Sequence, residues 1–395
     1  MTSDDRLLLL VLGGSAFASA VAARATDPMV NAIAADFATP VATVALLASA
    51  YTLPYGLCQP VLGPLGDSLG KAAVLKVCTV VFALALAACV IAPDLGTLAA
   101  GRIVAGIAAG GVIPLALAMI GDRFPMEHRQ VAIGRFLTAA LVGQFVGVTT
   151  AGILSDWIGW RGGLASTAGV AAIAAAGVVG WLKPGAEAPP RGRLSVGGAV
   201  ATFAMVLRNP RAAVCYGSVF LESIAIYGVL PFVPELLAQR GGGTATQAGL
   251  AIAGLGIGGL MFSLFVAQFL RVFSPFGLMV WGGLIGGAGL AGLAFSGTWP
   301  FKMACFTVIG LGFFMLHNSL QNRATELAPQ ARGSAVSLHA FFFFIGQALA
   351  PALFGIGLHS IGATPMLLGS AVLLASAGTG AALLLRRADR REGHA

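Results

Sequence analysis

KAAVLKVCTVVFALALAACVIAP, residues 71–93, is the stretch whose reading decides the fold. Between Val74 and Ala92 only Lys76 is charged, and the run approaches the ~20 residues that an α-helix needs to cross hydrocarbon. It lacks the sustained alternation of apolar and polar positions that a barrel strand requires. Lys71 and Lys76 at its start place that end in a basic turn.

Outward from this run the pattern repeats. Apolar segments over 7–35, 43–65, 74–92, 96–121, 131–156, 162–182, 212–238, 246–270, 275–296, 301–323, 334–358 and 362–385 predict an all-α membrane protein with twelve transmembrane helices. Composition agrees: of 395 residues, 57% are hydrophobic and 10% charged, where a soluble domain carries roughly a quarter charged residues. The 55 glycines suit helices whose backbones approach closely without a water-driven core. A net charge of +8 could signal nucleic acid in a soluble protein; here the basic residues fall between apolar segments, where anionic headgroups explain them.

Those basic residues alternate. With the N-terminus inside, Lys71, Lys76, Arg123, Arg129, Arg208, Arg211, Arg271, Arg323 and Arg332 occupy cytoplasmic turns, while Arg161, Arg240 and Lys302 lie opposite. Both termini are therefore expected in the cytoplasm of a bacterial-type inner membrane. Arg6 before the run from Leu7, with no small-residue cleavage site following, leaves the first segment as a retained span. The longest hydrophilic interruption begins at Lys183 and contains Pro184, Pro189 and Pro190. It predicts residues 1–183 and 212–395 as two pseudo-symmetric six-helix bundles, joined by a cytoplasmic linker over 184–211 whose stretch Leu194–Leu207 could lie in the interface as a short helix. The cysteines Cys58, Cys78, Cys89, Cys215 and Cys305 are scattered singly and have no metal-ligand spacing. No phosphate-binding loop or nucleophile elbow occurs, so an enzyme, a metal or an organic cofactor is not expected.

Gly63-Pro64-Leu65-Gly66-Asp67-Ser68-Leu69-Gly70-Lys71 falls between the second and third segments. Gly66 and Gly70 permit close or left-handed backbone paths, Asp67 can cap or pair, and Lys71 marks the inside surface. There the chain resembles the major facilitator superfamily, whose cytoplasmic glycine–aspartate signature this segment is similar to, with Ser68 where a basic residue is frequent. Gly134, Gly143, Gly147 and Gly152 resemble the fifth-helix antiporter signature of the drug–proton branch, with Val148 at its proline position and Ala151 at one glycine. Gly159-Trp160-Arg161 is typical of the same branch. The resemblance covers about 7–387 and implies alternating access between two bundles, with Gly63, Gly66, Asp67, Gly70 and Lys71 as a cytoplasmic gate.

Several polar residues fall inside apolar segments, where a charge costs from ~2.5 kcal/mol upward and seeks a partner or a cavity. Arg102 precedes Gly106 and Gly110 at four-residue spacing and resembles the superfamily's fourth-helix arginine motif. Arg24 and Asp27, three positions apart, can share one helical face, and Asp27 can pair with Arg24 or Arg102. Glu222 lies near the middle of the seventh segment. In the resembled family the first and seventh helices line the central cavity, which implies transport and proton-coupling roles for Asp27 and Glu222; Arg102 is expected to join them by exchanging an ion pair with Asp27 for protonation. A headgroup-level ion pair or an internal hydrogen bond are the structural alternatives. Tyr51, Tyr55, Gln144, Tyr227, His317, Asn318, Gln321 and Gln347 join Arg24 as candidate cavity residues, each equally able to make an interhelical contact. His339 and His359 show that histidine alone does not mark a site.

Together these features predict a secondary transporter exporting a moderately hydrophobic or amphipathic small organic solute in exchange for protons, the coupling ion. It is expected to act as a monomer among membrane lipids, with no nucleic-acid partner. Proton-coupled import, lipid or lysolipid translocation and a non-transporting binding protein remain the alternatives.

Overall fold

A computed structural model of the chain describes residues 3–182, 196–239, 243–295 and 297–392. Among these residues twelve helices are long and apolar enough to cross a membrane: Ser3–Asp36, Val41–Leu62, Lys71–Val90, Leu95–Arg123, Val131–Ile158, Trp160–Trp181, Ala212–Ala238, Ala245–Val272, Pro275–Phe295, Trp299–Glu326, Pro329–Ile361 and Ala363–Arg390. They are the first to twelfth spans below. Residues 183–195, which include the first part of the linker expected over 184–211, lie outside the described residues; Val196–Leu207 is an α-helix.

The chain forms two compact units, Met1–Leu194 with Thr244–Gly249, and Ser195–Gly243 with Leu250–Ala395. In the first, span one packs on spans five and six, span three on spans four and six, and span two on span four. In the second, span seven packs on spans eleven and twelve, and span nine on spans ten and twelve. The pairs 1–5, 1–6, 3–4 and 3–6 thus recur six spans later as 7–11, 7–12, 9–10 and 9–12, the mark of an internal repeat.

Local irregularities repeat too. The first span stops as an α-helix at Ala23, makes a 3-10 turn over Asp27–Met29 and resumes over Val30–Asp36. The seventh stops at Tyr227, turns over Leu230–Phe232 and resumes over Val233–Ala238. Pro28 and Pro231 occupy the same position in the two turns; each lacks an N–H and biases its predecessor away from helix, so a break forms. This corrects the expectation of one unbroken helical face for Arg24 and Asp27, which meet instead across a turn. Gly159 and Gly362 join spans five to six and eleven to twelve with φ of +82° and +87°, left-handed values that glycine adopts without a Cβ penalty.

Glycine sets the closest approaches. A Cβ on Gly106 would collide with the backbone carbonyl of Tyr51, and one on Gly110 would stand 2.8 Å from the carbonyl oxygen of Tyr55, so span four lies directly on span two. Gly143 and Gly147 face the backbone of Phe17 and Val21 in span one in the same way. Gly152 meets Ala245, and Gly249 meets Val148, while the Asp156 carboxylate accepts from the amides of Ala245 (3.0 Å) and Thr246 (2.8 Å). These contacts hold Thr244–Gly249 within the first unit. Gly134 differs from the rest of its motif: nothing lies within 4 Å of where its Cβ would stand.

The ends of the spans carry ion pairs. Asp36 accepts from Arg161 (2.7 Å) and Trp160 (3.1 Å), and Arg161 also donates to the carbonyl of Ala92, tying the ends of spans one, three and six. In the second unit Asp389 accepts from Arg211 at 3.2 Å and Arg323 at 3.1 Å. Between spans three and four, the Asp94 carboxylate accepts from the Thr97 amide at 2.8 Å and caps span four. Those bonds hold its carboxyl below the usual carboxylate range.

The glycine contacts generate a paired prediction. Gly106→Val drives a branched side chain into immovable backbone and should destabilise the protein by about 1–3 kcal/mol. Gly134→Val, facing open space, should leave the melting temperature in detergent nearly unchanged; equal losses in the two variants would refute this packing.

Candidate functional site

Where the first span breaks, the carbonyls of its last helical turn have no intrahelical donors, a costly condition away from water. Arg102, fully buried in span four, fills that gap. Its two terminal nitrogens donate to the carbonyls of Ala22 (2.8 Å) and Ala23 (3.1 Å). A cation at a helix C-terminus also complements the helix dipole. The guanidinium lies 4.4 Å from the ring centre of Tyr51, a cation–π contact, and the Tyr51 hydroxyl donates to the carbonyl of Ser19 at 3.3 Å. Tyr55 stacks on Tyr51 with ring centres 6.0 Å apart.

Just past the break Asp27 is completely buried, with Arg24 at 3.6 Å as its ion-pair partner. Of the two partners anticipated for Asp27, the structure gives it Arg24, while the described hydrogen bonds of Arg102 go to backbone. The pair is too long for a hydrogen bond. Neither Asp27 oxygen has a hydrogen-bond partner among the described residues, and the same holds for Thr26 Oγ1, Asn31 Oδ1 and Arg102 Nε. This first cluster therefore combines buried charge with unspent hydrogen-bonding capacity. Gln144 is half-buried, in span five.

The second unit holds a separate cluster. Glu222 is fully buried in span seven, and its Oε2 lies 3.0 Å from Nδ1 of His317 in span ten. Aromatic rings enclose His317: Phe313 at 4.9 Å, Phe343 at 4.7 Å and His339 at 4.9 Å between ring centres. Tyr227 packs edge-on against Phe313 (6.0 Å) and Phe343 (5.5 Å). Gln347 is buried, Asn318 half-buried and Gln321 exposed, so the tenth-span amides do not all turn into the cluster. Oε1 of Glu222 and Nε2 of His339 have no hydrogen-bond partner among the described residues. Sequence reasoning set His339 aside with His359, although its place inside an apolar run was visible. His359 does differ, its Nδ1 lying 2.7 Å from the carbonyl of Gly355 on its own helix.

The expected gate is not a turn from Gly63: the α-helix of span two runs on to Leu69, and of the side chains of Pro64 and Asp67 nothing is described. Gly66 packs on Leu115, Gly70 has a φ of +93°, and Lys71 is paired with Asp122 at the end of span four. Asp122 was not anticipated; an acid immediately before the basic Arg123 was the available signal. Arg123 pairs with Asp5 at 2.9 Å. A groove of about 860 Å³ bordered by Arg6, Leu10, His128 and Arg135 lies apart from the candidate residues. Among the described residues no group of three His, Cys, Asp or Glu side chains is arranged to hold a metal.

Twelve apolar spans, a set of contacts repeated once at six spans' distance and buried charges within each unit define a multi-pass membrane protein. The chain matches the Major Facilitator Superfamily over residues 12–351 and again over 215–395, and it belongs to that family. It is 26% identical over 252 residues to the uncharacterized MFS-type transporter YwfA of Bacillus subtilis, covering 64% of this chain and 61%, less than two thirds, of that protein. To the quinolone resistance protein NorA of Staphylococcus aureus it is 23% identical over 326 residues, covering 80% of this chain and 81% of NorA. A mutant of the nucleoside transporter NupG has the same fold, with a TM-score of 0.77 at 15% identity, covering 96% of this chain and 99% of that one.

Capping by Arg102 is testable. Arg102→Leu leaves two buried carbonyls without donors and should cost about 1–3 kcal/mol in folded stability. Arg102→Lys, a single point donor without the planar fork, should recover part of that loss. Identical melting curves for wild type and Arg102→Leu would remove the capping role.

Proposed function

We propose that this protein is a secondary active transporter of the cytoplasmic membrane that exports a moderately hydrophobic or amphipathic organic solute in exchange for protons. The observation that carries the reading is the buried Glu222–His317 pair. A carboxylate and an imidazole at 3.0 Å can share one proton, so gain or loss of that proton changes the charge of an aromatic-walled site by one unit. Any solute that favours one charge state is then linked to proton binding by the same free energy that links proton binding to the solute. Family membership and the likeness to a protein named for quinolone resistance support transport and efflux.

In this proposal residues 1–183 and 212–395 act as two six-helix bundles joined by a cytoplasmic linker, with both termini inside, and expose the site alternately to the two faces of the membrane. Asp27, Arg24 and Arg102 form the charged partner site of the first bundle, where Asp27 has unspent acceptor capacity. Tyr51, Tyr55, Gln144, Tyr227, Asn318, Gln321 and Gln347 are the proposed solute-contacting side chains. The segment from Gly63 to Lys71, helical to Leu69, serves with Asp67 as the cytoplasmic gate, and the Lys71–Asp122 ion pair supports that role by fixing the end of the segment to span four. Gly143, Gly147 and Gly152 hold span five close against the backbones of its neighbours. The working unit is a monomer.

Reconstituted vesicles given a quinolone and a panel of amphipathic organic solutes, under an imposed pH gradient, test the proposal. Accumulation of a solute should follow the gradient and collapse when it is dissipated. Glu222→Gln and Asp27→Asn keep shape while removing a titratable oxygen. Each should lose proton dependence while solute binding stays within about threefold of wild type. Solute movement indifferent to the gradient, or unchanged proton dependence in both variants, refutes proton coupling through these carboxylates.

A further inference from the structure

His339 is 1% exposed, yet it occupies a position where an apolar side chain would pack without leaving a polar atom unpaired. Its Nε2 has no hydrogen-bond partner among the described residues, a costly arrangement for a residue that only fills space. Its ring stands edge-on to His317, 4.9 Å centre to centre at 64°, on the cluster that includes Glu222. Phe343, one turn along span eleven, and Phe313, one turn back along span ten, close the surroundings with apolar rings.

The charged and titratable groups around the cluster are few. Span seven brings Glu222 and the Tyr227 hydroxyl, span ten His317 and span eleven His339; span twelve, packed on span seven, has no Asp, Glu, His, Lys or Arg from 363 to 385. Of the other such groups of these spans, Tyr216 donates to the carbonyl of Ala335, Lys302 to that of Leu293 and Cys215 to that of Leu320, Arg323 pairs with Glu326 and Asp389, and His359 contacts the carbonyl of Gly355. Glu235 sits past the break of span seven in Val233–Ala238, Cys305 near the start of span ten, and Arg332 at the exposed start of span eleven.

We propose that His339 belongs to the proton-carrying group, so that Glu222, His317 and His339 form one three-membered acid–base cluster in which the two imidazoles take protons in turn. The inference rests on the proton-coupled reading above and adds a residue to it. Two positive charges 4.9 Å apart among apolar rings repel, and only His317 has the carboxylate at 3.0 Å to offset its charge. His317 is therefore the proton's first seat, beside Glu222, and His339 is the second, whose own protonation opposes loading of the first. A proton enters from water on one side and the same proton leaves on the other, with no other bond made or broken.

Potentiometric proton titration of the purified full-length protein in detergent reads this directly, with the proton as the only ligand. Wild type, Glu222→Gln, His339→Gln and His339→Phe are compared after size-exclusion confirms each is folded. We expect Glu222→Gln to delete an uptake step. Both His339 variants should delete a second step and move the midpoint of the remaining Glu222–His317 step by threefold or more in proton affinity. If Glu222→Gln deletes a step but the His339 variants leave the curve superimposable on wild type, the inference fails and proton coupling stands; if Glu222→Gln changes nothing, the functional reading itself fails. Should the His339 variants not fold, histidine-selective NMR of the wild-type protein decides: mutually dependent titration of His317 and His339 supports the cluster, and two independent single-site curves overturn it.

Discussion

A helix that stops inside a membrane must find donors for its last carbonyls, and in the first unit Arg102 supplies them. That requirement links the features around it. Pro28 forces the first span to break, the break opens the carbonyls of Ala22 and Ala23, and the guanidinium that closes them is long enough to reach from span four while resting on Tyr51. The break also moves Arg24 and Asp27 from a helix surface into a turn, where both are buried. A strong charge is thereby held in an apolar interior by backbone dipoles, which leaves Asp27 with acceptor capacity that Arg102 does not consume.

Glycine makes such reach possible. Gly106 and Gly110 bring span four onto the backbone of span two, and Gly143 and Gly147 bring span five onto span one. Dispersion between closely packed backbones takes the place of the hydrophobic driving force, which lipid removes. Ion pairs then tie the span ends, where charge is cheaper: Asp36 with Arg161 in one unit, helped by a hydrogen bond from the Trp160 indole, and Asp389 with Arg211 and Arg323 in the other.

The two buried clusters differ in chemistry. In the first unit the charges are permanent cations around one carboxylate; in the second a carboxylate faces an imidazole within an aromatic wall, a pair that can rearrange its proton without importing a counter-ion. Such a pair is suited to a site whose charge must change during a cycle, and a fixed guanidinium to one whose geometry must not.

Much of this architecture was legible in the chain alone. The number of spans follows from apolar length, because hydrocarbon thickness dictates how many residues a helix needs. The glycine rows of spans four and five and the buried Arg102 and Glu222 could be singled out because each residue type is costly or unusual in lipid. Partners were a different matter. Nothing in the local sequence says that Arg102 would turn to the carbonyls of a broken helix, that Lys71 would meet Asp122 fifty-one positions away, or that Gly134 would face open space while Gly143 touched backbone. His339 and His359 read alike as histidines in one span, yet of the two it is His339 that stands against His317, itself the partner of Glu222. Residue type and spacing determine which groups must be satisfied inside the membrane; the packing angle and register of neighbouring spans decide which group satisfies them, and those are set by contacts among many distant residues at once.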